Sequence, residues 1–187
     1  MADYGIKTYR LGGALLKRSL MTGLSLTEDG VLRTVGNGPH SLFLPGLDSA
    51  QPDCAWGRFS LKCALGPESM LTIRAFALDQ NSVIRRDQVV SIDGFLLDPD
   101  VPREEKERLF TLADGMERSG VKDVLLTGQK GRWLWLWLEV TGGEDAALEN
   151  LKVYVPGDNF FRTLPQVYQA DNDFLQRYLS IFSTMYQ

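Results

Sequence analysis

Four carboxylates close together, Asp98, Asp100, Glu104 and Glu105, come nearest in type and spacing to the acid and base of a glycoside hydrolase. They also flank the start of a helix-like stretch, where acidic side chains cap the first turn and complement its positive end, and that role accounts for them. His40 is the single histidine. It follows Gly36-Asn37-Gly38-Pro39 and reads as a surface loop residue, so no nucleophile–base pair stands out. Gly36 and Gly38 lack the third glycine and the following helix of a dinucleotide-binding turn. Cys54 and Cys63 are too few for a disulfide scaffold and, with one histidine, too few for a structural zinc site, so they read as two buried thiols. The expectation is a protein without catalytic residues, cofactor or metal.

Trp133, Trp135 and Trp137 alternate with Leu134, Leu136 and Leu138. A row of indoles on one strand face can stack on sugars or bases, and a carbohydrate-binding sandwich is the alternative reading of this chain. Stacking platforms sit among hydrogen-bonding side chains, whereas the neighbours here are leucines. Both faces of the strand are apolar, which describes a central strand covered on each side.

The elements that would position these residues are mostly short strands. The chain has 187 residues, a formal net charge of −4, 44% hydrophobic and 24% charged residues, the composition of a folded domain. That charge argues against binding to nucleic acid or to a membrane surface. No run of about 18 apolar residues and no secretory leader pattern is present, which suggests a soluble protein made in the cytoplasm with reduced thiols. Residues 1–22 show no clear period and read as an N-terminal arm or irregular edge. From Gly23 a hairpin pattern begins, with Leu24 and Leu26, Asp29-Gly30 at the turn, then Val31 and Leu32. Further strands are expected at 41–44, 56–65, 69–78, 88–97, 124–126, 131–141 and 148–155, separated by Pro, Gly, Asp and Asn turns. This punctuation predicts a mainly β protein, an antiparallel β-sandwich over 23–158.

One inserted helix is expected at about 101–119, with Asp98 or Asp100 as cap and Leu109, Phe110, Leu112, Ala113 and Met116 as its apolar stripe. Residues 103–108 carry three charges of each sign and read as a solvated face with pairs such as Arg103–Glu107 and Glu104–Arg108. A second helix is expected near the end of the chain, after an elbow, within 159–187. Its apolar stripe is Phe174, Leu175, Tyr178, Leu179, Phe182 and Met185. Such a stripe must fold back onto its own domain or pair with another chain, because each large apolar side chain left in water forfeits about 1.5–3 kcal/mol of burial. The residues alone leave these two options open.

The second half of the chain resembles a phage tail protein family. Gly131-Arg132-Trp133-Leu134-Trp135-Leu136, Leu151-Lys152-Val153-Tyr154-Val155-Pro156, Leu164-Pro165-Gln166-Val167-Tyr168 and Phe174 to Phe182 occur in the family's order, as its "GRYLWL", "LRVYYP", "LPAIY" and "FLxRFLxxF" motifs. The likeness covers about residues 92–187. Trp133 and Tyr178 replace the usual tyrosine and phenylalanine, Phe160-Phe161 replaces a Tyr-Leu pair, and typical members continue past the position of Gln187. Members are baseplate subunits of contractile phage tails and phage-tail-like injection systems. The resemblance implies a structural, non-enzymatic wedge subunit whose partners are other baseplate proteins, including a second copy or a related wedge protein, with contact to tail hub and sheath. It implies that the stripe of Phe174, Leu175, Tyr178, Leu179, Phe182 and Met185 forms an inter-subunit contact, with Leu164, Pro165 and Tyr168 as the elbow leading into it. It favours pairing over folding back.

Overall fold

The computed structural model describes residues 13–85, 87–126, 128–142 and 145–154. The expected terminal helix and its elbow lie outside the described residues. The chain is mainly β, with antiparallel sheets, as its turn spacing predicts.

In order, the elements are α1 (Gly13–Leu16), β1 (Leu20–Thr22), β2 (Leu24–Leu26), β3 (Leu32–Thr34), β4 (His40–Phe43), β5 (Leu47–Asp48), β6 (Arg58–Ala64) and β7 (Met70–Leu78). Then follow β8 (Ser82–Arg85), β9 (Gln88–Ser91), α2 (Ile92–Leu96), α3 (Arg103–Leu112), β10 (Met116–Ser119), β11 (Asp123–Leu125), β12 (Trp133–Thr141) and β13 (Ala147–Tyr154). One sheet runs β1-β4-β12-β7-β10, with β5 also on β12; the other runs β11-β6-β13-β3-β2. β4 and β5 lie along the same side of β12, pairing Phe43 with Trp137 and Leu47 with Leu134. Pro45 has no N–H to give the ladder, and it interrupts what would otherwise be one long strand.

β12 organises both layers. Leu134, Leu136, Leu138 and Val140 point between the sheets, into one core with Leu71, Ile73, Ala75 and Ala77 of β7 and with Phe59, Leu61 and Cys63 of β6. β6 itself alternates buried and wetter residues, the pattern of a sheet wet on one face. The opposite face of β12 carries Trp135 and Trp137, which join Phe43, Phe76, Ile92, Phe95, Leu96, Val101 and Phe110 in a second core beneath the helices. Three layers result: sheet, sheet and a helical cover. Trp135 stacks on Phe76 with ring centroids 5.0 Å apart, and Trp137 stacks on Phe43 at 4.7 Å.

The helical cover differs from expectation in three ways. The strand expected at 88–97 is β9 followed by α2, capped by the Ser91 hydroxyl, which accepts from the Gly94 N–H at 2.9 Å. α3 spans Arg103–Leu112 rather than about 101–119. Asp114 takes a left-handed φ of 52°, the Gly115 N–H donates to the Phe110 carbonyl, and Met116 leaves the helix to pair with Ala75. Met116 therefore belongs to an edge strand, not to the helix stripe. The cap position is Pro102, with no side-chain bond; the Asp98 carboxylate instead accepts from the Asp100 N–H in the preceding turn.

Of the two readings of residues 1–22, arm or edge, the described part, 13–22, is an edge. Leu16 is buried in the inter-sheet core, and β1 pairs with β4 as the edge of its sheet. At the far end of β12, Gly131 has a φ of 152°, and a Cβ there would lie 2.5–2.7 Å from the Leu78 backbone, so only glycine lets these segments approach.

Removing an indole from the helix-side core leaves a large void that α2 and α3 cannot close. Trp135→Ala is expected to destabilise folding by about 3–5 kcal/mol in urea unfolding. A loss below about 1 kcal/mol would show that the helical layer is not packed on β12 in this way.

Candidate functional site

The chemical candidates from the sequence are dispersed. Asp98 serves the turn before α3 through its side chain and accepts from Lys106 Nζ through its carbonyl. Glu105 pairs with Arg85 at 2.9 Å. These contacts give Asp98 and Glu105 structural roles. His40 is buried rather than on the surface: it opens β4 opposite Val140, with Nε2 3.0 Å from the Gly36 carbonyl and the ring packed against Gly23. The loop reading failed because Gly23 leaves a space that the imidazole fills. Both cysteines are buried, as expected. Burial pushes the Cys63 thiol up, opposed in part by Lys122, so it is a poor nucleophile. Among the described residues, no three His, Cys, Asp or Glu side chains gather as a metal site.

The indole row is divided. Trp135 and Trp137 are wholly buried under α2 and α3, and Trp133 is half-buried. The Trp135 indole N–H donates to the Asp93 carboxylate at 2.8 Å, and the same oxygen accepts from the Gly46 N–H, also at 2.8 Å. These bonds tie α2 to the gap between β4 and β5.

Arg103, Glu104 and Arg108 of the 103–108 run are exposed, as expected, but its ion pairs are not made within the run. Arg103 reaches across to Glu139 of β12, a buried carboxylate that also accepts from Arg74 Nη1 at 2.9 Å. Arg74 in turn bonds Glu117 through Nε at 2.7 Å and approaches Glu107 at 3.8 Å. Its guanidinium lies 4.1 Å from the Trp137 ring centroid, and that of Arg103 lies 5.3 Å away. Lys106 is only 3% exposed, with Nζ over the Phe43 ring and its N–H on the Asp98 carbonyl. Charges three and four apart on a helix suggest pairing along it, but here the sheet beneath α3 supplies closer and drier partners. The cluster holds α3 in one position on β12.

That position builds a groove of about 570 Å³. Its walls are α3 (Leu109, Leu112, Ala113) and β8 (Val83, Ile84, Arg85), with Phe95 and Leu78 lining the floor. β8 and β9 form a separate hairpin, in which Val83 pairs with Val90 and Ile84 with Val89. Val83 and Val90 pack onto the helix-side core. Ile84 and Val89 turn outward, 79% and 74% exposed, and Leu112 across the groove is 84% exposed. Apolar side chains thus gather beside a groove with Arg85, Glu105 and Arg108 at its margin, an exposed apolar patch of a kind uncommon on a folded domain. The sequence reading missed it because the hairpin turn has no glycine or asparagine: Asp87 supplies the left-handed residue at φ 62°. The β-branched residues Val83, Ile84, Val89 and Val90 were the available signal for the hairpin itself.

The residues expected to make the inter-subunit contact lie outside the described residues. They are Leu164, Pro165 and Tyr168 of the elbow, and Phe174, Leu175, Tyr178, Leu179, Phe182 and Met185 of the stripe. Among the described residues, no helix is long and apolar enough to cross a membrane.

Two outcomes check the charge cluster. Glu139→Ala leaves Arg74 and Arg103 beneath α3 without their shared carboxylate and is expected to cost about 3–5 kcal/mol in denaturant unfolding. Burial lowers the Lys106 pKa, so over the alkaline range below the unfolded value the unfolded chain binds more protons than the native one. The Lys106 contribution therefore makes stability rise with pH until the unfolded lysine value of about 10.4 is passed. Subtracting the pH profile of Lys106→Met from that of wild type should leave this upward slope, and a flat difference would refute it.

The sequence matches no protein-family model, and no curated protein matches it.

Proposed function

We propose that this chain is a structural, non-enzymatic baseplate wedge subunit of a contractile phage tail or phage-tail-like injection system. Four motifs in family order over residues 92–187 support the baseplate part of this reading. The observation that carries the assembly part is the exposed apolar face of the β8–β9 hairpin and α3, where Ile84, Val89 and Leu112 stand in solvent beside a groove. A domain that leaves such side chains outside its two cores is built to be covered by something else.

In this role the sandwich is a rigid body, and contacts form through the apolar face of residues 171–187 and through surfaces such as this groove. The partners are other baseplate proteins, including a second copy or a related wedge subunit, with contact to hub and sheath. The subunit is made in the bacterial cytoplasm and ends in the particle.

The test is mass spectrometry and electron microscopy of particles purified from producing cells. The wild-type chain should be present in particles in fixed ratio to other tail proteins. The double variant Leu179→Asp, Phe182→Asp should still fold, with a cooperative unfolding transition of the sandwich, but be missing from particles, which should lack a complete baseplate. Normal particles that contain the double variant would sink the reading.

A further inference from the structure

We propose that, in the isolated subunit, the groove between β8–β9 and α3 is occupied by the apolar face of residues 171–187 of the same chain. This rests on the reading of that segment as an amphipathic assembly element, and it says where the element sits before a partner takes it.

The first argument is need. Phe174, Leu175, Tyr178, Leu179, Phe182 and Met185 recur at helical spacing in a segment of 17 residues. An amphipathic helix gains most of its stability from the surface its apolar face covers rather than from its own propensity. Among the described residues, the surface that most needs a cover is the groove margin formed by Ile84 and Leu112.

The second argument is position. β13 ends at Tyr154, whose carbonyl accepts from the Gly57 N–H at 3.1 Å. The adjacent Trp56 indole N–H donates to the Gly131 carbonyl at 2.8 Å, and Gly131 is pressed against the backbone of Leu78, which lines the groove. The Gln129 side chain bonds the Asp114 carbonyl at the close of α3 at 3.3 Å, at this same end. The chain therefore leaves the sandwich at the end where the groove lies. Sixteen residues, 155–170, separate Tyr154 from Asp171. A chain of that length reaches at most about 55 Å, well beyond the roughly 30 Å of a nine-residue strand such as β12. A connector this short gives docking onto the same molecule an effective concentration on the order of millimolar, which a second copy at ordinary concentration does not match.

The third argument is charge. Arg108 on the groove margin makes no ion pair with another described residue, and the Nε–H of Arg85 is buried there without a hydrogen-bond partner. The segment opens with Asp171 and Asp173, acidic groups complementary to Arg108, while Arg85 already holds Glu105 through Nη2 and has its Nε–H left over.

Cysteine pairs introduced into the full chain test the contact. Leu112→Cys combined in turn with Leu179→Cys and with Phe182→Cys covers adjacent turns of the stripe, and Val35→Cys with the same partners is the control. Val35 is exposed and lies at the other end of the sandwich, near the Ala147–Ala64 pair. Under mild oxidation at micromolar protein, at least one groove pair should give a monomer lighter by two hydrogens, forming about tenfold or more faster than the control pair. A disulfide-linked dimer from the groove pairs would overturn the proposal in favour of a second copy as occupant. Equal rates for groove and control pairs, or no product from either, would overturn it outright. None of these outcomes bears on whether the subunit enters a baseplate, which the particle experiment reads independently.

Discussion

The fold depends on one constraint: β12 is apolar on both faces and must be covered twice. Leucines on one side and indoles on the other leave no wet face, so a two-layer sandwich does not suffice. The second sheet covers the leucine face, and α2 and α3 cover the indole face. The order of the sheet follows from this, with β12 at its centre between β4 and β7.

Covering the indole face with helices poses a problem of placement, because an apolar layer alone lets a short helix slide. Polar groups buried at the seam fix it. The Asp93 carboxylate anchors α2 through the Trp135 indole and the Gly46 amide, while Glu139, Arg74 and Arg103 hold α3. Such bonds contribute less to net stability than to choosing one arrangement, since buried charges give up hydration to make them. The chosen arrangement sets the distance between α3 and the β8–β9 hairpin, and so the width of the groove. The groove is thus a by-product of how β12 is covered.

The strands were legible because their signals are local. Alternation in β6, the doubled apolar pattern of β12 and the Asp29-Gly30 turn each identify an element without reference to distant parts of the chain. What escaped the sequence depends on partners far away. Met116 fits a helical spacing but is taken by the edge of β7; residues 92–96 look extended until Ser91 caps them; the charges of 103–108 look self-sufficient until Glu139 and Arg85 compete for them. His40 was misplaced for the same reason, since the space it fills exists only where Gly23 turns beneath it. The groove could not be read from the sequence, because it needs three separate elements in register.

The edges of the sandwich carry a consequence for crowding. Among the described residues, β1, β2, β10 and β11 are the outermost strands of the two sheets; they are three or four residues long, and β10 carries Glu117 and Arg118. Strands this short and charged offer little backbone template for another chain to extend. Copies brought side by side are thereby kept from fusing into a continuous sheet, a form of association that is indifferent to sequence and hard to reverse. Recognition is left to side-chain surfaces, which can tell one neighbour from another and can let go.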